Sequence, residues 1–423
     1  MIKRQRPIFI WLRRIFFGFL ALILLLLLIV CVRSFSPGAL QNQQLPLERA
    51  TIPPGANCFD ALQVAASKMW LPKDQEQRID DLVSSINWDE AFAQAFLASN
   101  HDALASWDAA VKLPDLQVPE LSAVYELPPY LEGWKKLARI AMVRENWLLH
   151  HGQDQAAFNQ LIDHVRLGRR MQNSQCVLIV YLVGQAVDNM GLFQMRHWVG
   201  KTQLTADQLK TYIAQLKPQP RELSDAFAST IKVEHQMQVN TLAAMRDGRI
   251  DNGYIPRIGF GWPFFNFGQT EELFTQGTLK LVEAASHHYV EVDVAAMTAL
   301  PSRPSIYLSG NMTGQILYYS MMPAMTAMLA NKCKGDVTWQ ATRTILALRA
   351  YQLAHGQLPS DLNALVPEYL ETLPVDDFNG RPLHYAPDRK IVYSVGQNLK
   401  DDGGDDHDSV GEHPLDLVYK FDF

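Results

Sequence analysis

The sequence predicts a mainly α protein with three parts: an N-terminal transmembrane helix, a large periplasmic domain of helical hairpins, and a small C-terminal α+β domain carrying a short antiparallel sheet. Three observations predict it. An unbroken uncharged run follows a basic head, apolar residues through the middle recur at three- and four-residue spacing, and strand-like alternation is confined to the C-terminal end. A length of 423 residues, with 48% hydrophobic and 19% charged, suits two or three domains and excludes a wholly disordered chain. The net charge of −6 hides a strong asymmetry. Residues 1–33 hold six bases and no acid, whereas 401–423 hold eight acids and one base. No broad basic surface is left to suggest nucleic acid.

Ile15 to Val32 is a run of 18 uncharged residues. At about 1.5 Å per residue it makes a helix roughly 27 Å long, close to the thickness of a bilayer core. Lys3, Arg4, Arg6, Arg13 and Arg14 precede it and only Arg33 follows. The positive-inside rule then keeps the N-terminus cytoplasmic and carries the bulk of the chain into the periplasm of a bacterial inner-membrane protein. Residues 1–33 are thus the basic segment and single-pass anchor, with 15–32 in the membrane. A cleaved signal peptide is the rival. Its apolar region is shorter, about 7–15 residues, and Val30-Cys31-Val32-Arg33 offers no small-residue cleavage site. Pro37, Pro46, Pro53 and Pro54 mark 34–56 as a linker.

Residues 57–335 form the helical periplasmic domain. Leu137, Ile140, Ala141, Arg144 and Leu148 share one helical face, and Phe158, Leu161, Ile162 and Val165 share another, with Gly152 breaking the chain between them. Val177 to Leu192 reads as a core helix, and Thr205 opens one through Leu216. Further helices are expected at 270–298 and 315–331. Between 253 and 268, six aromatics alternate with glycine and proline, which suits a loop over the core, or a partner-binding, membrane-interface or small-ligand surface. Cys58 and Cys333 lie in polar surroundings and are the expected disulfide, leaving Cys176 as a buried thiol.

Catalytic patterns are scarce. GxSxG, GxxxxGK[ST] and HExxH are all absent, and no Cys/His spacing suits zinc. If 270–298 is helical, Glu283, His287 and Glu291 fall along one face, with His288 beside them. That stripe is the one feature favouring an envelope enzyme, a hydrolase, over a non-enzymatic scaffold or interaction protein with an envelope partner.

Residues 336–423 differ in character. Val337 to Ala354 is helical, a short helix follows from Leu358 to Leu370, Asn379-Gly380 turns, and strands follow at Leu383–Tyr385, Ile391–Ser394 and Leu415–Tyr419. The words Leu348-Arg349-Ala350-Tyr351, His355-Gly356-Gln357-Leu358-Pro359, Val366-Pro367-Glu368-Tyr369-Leu370, Leu373-Pro374-Val375-Asp376, Phe378-Asn379-Gly380 and Tyr393-Ser394-Val395-Gly396 stand in one order over about 340–410. In that order they resemble the globular domain of the major pseudopilins of type II secretion systems. The resemblance implies a domain type, a link to secretion or pilus machinery, and a calcium-binding loop after the last helix-linked strand. It does not imply pilus assembly: some 300 residues separate head from anchor, Ile23 replaces the glutamate expected after a prepilin site at Gly18-Phe19, and Asp377 replaces a common proline. Independently of family, a glycine-bent loop rich in Asp and Asn supplies the oxygen ligands that calcium prefers. The expected metal residues are Asn398, Asp401, Asp402, Asp405, Asp406 and Asp408, in an order that is not an EF-hand.

Overall fold

A computed structural model describes residues 6–35 (side chains from 16), 45–47, 49, 51–121, 128–217, 226–247, 265–407 and 415–423. Among these the chain is mainly helical, with fourteen α-helices and one three-stranded sheet. By contact it divides into two units. The first comprises 1–46, 235–280 and 293–326, and the second 47–234, 281–292 and 327–423.

In the first unit, α1 (Arg6–Ser34) has no acid in its first turn and Arg33 in its last. Its window Phe16–Ser34 is long and apolar enough to cross a membrane, and only 6% of it is buried. Side chains such as Leu24, Leu27 and Leu28 are bare, so no protein core accounts for them. The C-terminal end of α1 is held firmly. Asn266 donates to the Ser34 carbonyl and Gln269 to that of Arg33, while the Arg33 guanidinium donates to Leu308 O at 3.0 Å. Gly310, at φ +75°, touches this end so closely that a Cβ would lie 2.4 Å from Ser34 N. Short helices α12 (Val294–Thr298) and α13 (Arg303–Tyr307) follow in the same unit.

The second unit begins with α2 (Phe59–Ser67), α3 (Glu76–Ser84), α4 (Glu90–Ser99) and α5 (His101–Val111). The expected hairpin is α6 (Leu131–His150) and α7 (Asp154–Gln172). Gly152 takes φ +67°, and Gln153 N closes the turn on Leu148 O at 2.9 Å. Next comes α8 (Leu178–Trp198), then α9 (Ala206–Gln215), whose Thr205 and Gln208 form a reciprocal capping box. Trp107, Trp134, Phe96, Phe158, Leu137 and Ile140 fill the core. Small residues bring α7 and α8 together: a Cβ on Gly168 would sit 2.4 Å from Asp188 N, and one on Gly184 would sit 2.7 Å from Gly168 O.

Several expectations need correction. The helix expected at 270–298 is α11 (Phe267–Ala284), which stops before the histidines; a 3₁₀ turn and α12 follow. The helices expected at 315–331 and 337–354 are one, α14 (Met312–His355), which passes through the expected boundary at 335–336. Gly335 is a close contact rather than a breaker, since a Cβ there would meet Gln185 Nε2 at 2.6 Å. Lys332 and Asp336 form an i,i+4 pair across the same turn. No disulfide forms among the four cysteines. Cys58 and Cys333 are separately buried, and burial pushes the Cys58 thiol up to about 11. Of the aromatic segment 253–268, residues 253–264 lie outside the described residues.

At the C-terminal end, Gly356 (φ +77°) stops α14. The short helix expected over 358–370 is only a 3₁₀ turn, Leu362–Leu365, capped by Asp361. Strands β1 (His384–Ala386), β2 (Ile391–Ser394) and β3 (Leu417–Lys420) pair antiparallel in that order, with Tyr385 opposite Val392 and Tyr393 opposite Val418. Asp376 organises the turn before the sheet. Fully buried, it accepts from Phe378 N, Ser394 Oγ and Val395 N at 2.9–3.0 Å.

Candidate functional site

The acidic loop leaves β2 at Gly396, whose φ of +63° turns the chain. Asn398 then builds a local turn: its Oδ1 accepts from Lys400 N at 2.9 Å, and its amide donates to Asp402 Oδ2 at 2.7 Å. Asp401 accepts from Gly403 N and from the Tyr393 hydroxyl, and lies 3.5 Å from His384 Nδ1. Asp405 pairs with the His407 ring, and Asp406 with Lys420 at 2.8 Å. The loop folds over Asp416, a buried carboxylate that accepts from Gly404 N at 2.6 Å and whose own N–H donates to Asp405 O.

The electrostatics follow these contacts. Hydrogen bonds from His407 hold Asp405 below the usual carboxylate range, and Lys420 does the same for Asp406. Asp405 raises His407 in turn. Burial raises Asp416. Asp405, Asp406 and His407 offer ligand atoms within 4.8 Å of one another, all three exposed. Asp408 lies outside the described residues. Of the six residues expected to bind metal, Asn398 and Asp402 thus touch directly, while Asp401, Asp405 and Asp406 each turn to a different protein partner. His407 and Lys420 each occupy one oxygen of the Asp405 and Asp406 carboxylates.

The histidine stripe does not form. His287 is exposed, with Nδ1 2.9 Å from the carbonyl of Glu283. His288 instead reaches Asp377 Oδ1 at 3.1 Å, and its N–H donates to Glu291. Lys332 takes the other oxygen of Asp377 at 2.8 Å.

Two buried polar groups were not visible in the sequence. Glu145 and His164, one from each arm of the α6–α7 hairpin and both wholly buried, meet at 3.2 Å. Arg169 Nε lies 3.1 Å from Asp188 as an ion pair, Asp188 accepts from Gln172 at 2.6 Å, and the Arg169 guanidinium stacks 4.0 Å from the Trp339 ring. Burial outweighs the attraction of Arg169 and pushes the Asp188 carboxyl up to about 6. The i,i+3 and i,i+4 spacing of Arg169, Gln172 and the adjacent turn is legible, but which of many polar residues faces inward is not.

Compared with known proteins, the chain matches no family model, no curated protein and no solved structure.

Proposed function

We propose that this protein is a membrane-anchored, non-catalytic interaction protein of the bacterial envelope, held in the inner membrane by α1 with the chain after α1 on the periplasmic side. The observation that carries this reading is the bare apolar face of α1 next to an exit end tied down by Asn266, Gln269 and Arg33. Such a helix in water exposes apolar surface on every side, at about 25 cal/mol per Å², and a bilayer removes that cost. Tyr307, next to the Leu308 carbonyl that accepts from Arg33, is also exposed, as suits a residue at headgroup level. The pseudopilin-like words over 340–410 support a partner in secretion or pilus machinery. The enzyme reading has lost the stripe that favoured it.

Calcium at the acidic loop is the second part of the proposal. Its support is the oxygen-rich chain from Asn398 to Asp406 folded over Asp416, together with the same resemblance.

Alkaline carbonate extraction of membranes carrying the full chain tests the anchor. The protein is expected in the pellet, and a variant with Leu24, Leu25, Leu26 and Leu27 changed to Gln is expected in the supernatant. Release of the unaltered chain sinks the proposal. Photo-crosslinking in intact membranes is expected to trap a protein partner, and repeated recovery of the uncrosslinked chain alone counts against an interaction role.

A further inference from the structure

The second unit contains a cleft of about 310 Å³ whose lining brings together Lys112, Arg166, Arg169, Arg170 and Lys217 against a single acid, Asp163. These cations come from three places: the end of α5, the last two turns of α7, and the chain just after α9. The volume falls at the lower end of the range for small-molecule sites. Trp339 also lines it.

Part of this charge has structural work. Arg170 donates to the carbonyls of Val111 and Leu113 and so caps the end of α5. Arg169 faces Asp188, and Lys217 pairs with Glu371. That accounts for three of the five. Lys112 is exposed and makes no ion pair or hydrogen bond among the described residues. Arg166 is exposed too and has only Gln215 at 3.4 Å and Asp163 at 4.0 Å. The Trp339 indole N–H is buried without a hydrogen-bond partner among the described residues.

The geometry points to a binding site for a small phosphate-bearing ligand, with Lys112 and Arg166 at the mouth and the Arg169–Trp339 stack within. The Arg166 guanidinium matches phosphate oxygens as a two-pronged donor, and Lys112 adds a mobile point charge. A lone surface cation would bind such a ligand weakly. Lys112 and Arg166, exposed at the mouth in front of three cations already held by protein partners, favour a multiply charged one. This inference is independent of membrane anchoring.

The test uses the full chain in phosphatidylcholine nanodiscs, titrated with inorganic pyrophosphate at constant ionic strength by calorimetry. Saturable binding at one site is expected. The Lys112→Gln/Arg166→Gln double variant should bind at least tenfold more weakly, with its unfolding midpoint in the absence of pyrophosphate unchanged because both side chains are exposed. Asp163→Asn removes the one acid and should bind several-fold more tightly. No saturable binding by the unaltered chain overturns the proposal, and so does equal affinity in the double variant. Repeating the titration with phosphatidylglycerol in the discs separates the sources of phosphate. Undiminished affinity assigns the site to a soluble ligand and competition assigns it to a lipid headgroup, either result upholding a phosphate site.

Discussion

The second unit carries two concentrations of charge, and they are built in opposite ways. The acidic loop is dense in sequence, with five aspartates between 401 and 408. In space each described carboxylate takes its own partner: Asp401 turns to Tyr393 and His384, Asp402 to Asn398, Asp405 to His407 and Asp406 to Lys420. The cationic cleft is dispersed in sequence, drawing on residues from 112 to 217, yet its charges converge in space. The contrast teaches that adjacency in sequence raises local repulsion, which folding relieves by giving each group its own partner. Convergence from separate helices is held by the packing of those helices and leaves some groups without a partner.

The largest effect expected concerns the floor of the cleft. Asp188→Ala strips the buried Arg169 of its nearest carboxylate and should cost about 3–5 kcal/mol in urea unfolding. A loss below about 1 kcal/mol would mean that Asp336, 3.7 Å from the same guanidinium, or solvent holds Arg169 in its place, and that Asp188 does not fix the floor of the cleft. The same residue gives a pH signature. Its folded-state pKa of about 6 stands above the ordinary 3.8, so between about pH 4 and 6 the native state keeps a proton that the unfolded chain releases. Stability from this group therefore falls as pH rises through that window. Glu371 acts in the opposite sense: held at about 2 with Lys217 and Arg343 as partners, it contributes stability above its ordinary 4.5 that is lost as pH falls towards 2. Urea midpoints measured from pH 4 to 7 should lose their downward component in Asp188→Asn, and an identical profile would refute the assignment.

For the loop, thermal unfolding in calcium and in chelator is the corresponding probe. At a calcium concentration about a hundred times the dissociation constant, the ion should add roughly 2.7 kcal/mol. Indistinguishable midpoints, with near-ultraviolet circular dichroism showing the sheet intact, would remove calcium from the proposal. The smallest effect belongs to Lys420→Ala. As one partner of an exposed pair it should change stability by less than about 1 kcal/mol, while strengthening calcium binding by freeing Asp406. Weaker calcium binding in this variant would show that Asp406 is not a ligand.

Much of the fold was legible because its signals are local. An uninterrupted apolar run makes α1, Gly152 separates α6 from α7, Thr205 and Gln208 cap α9, and alternation around Pro387-Asp388-Arg389 makes β1 and β2. Where local signals misled, a tertiary contact decided. Gly335 lies inside α14 with Gln185 close against it, and α11 ends before His287, while Tyr289 and Val290 N–H donate to the carbonyls of Asp377 and Phe378. Less of the candidate sites was legible. Asp416 sits eight residues beyond Asp408 in sequence and yet forms the base of the acidic loop, and nothing near Lys112 announces Arg166 or Trp339. Glycines such as Gly168 and Gly184, which set how closely α7 and α8 approach, are legible only as weak helix formers until their partners are known.

The anchor underlies the functional reading, and its orientation can be measured directly with alkaline phosphatase, which is active only outside the cytoplasm. A fusion after Phe423 should be active and one after Arg14, ahead of the apolar run, inactive. An inactive fusion at Phe423 in a stably produced full-length chain, or an active one at Arg14, would contradict a single-pass anchor that places the chain after α1 in the periplasm.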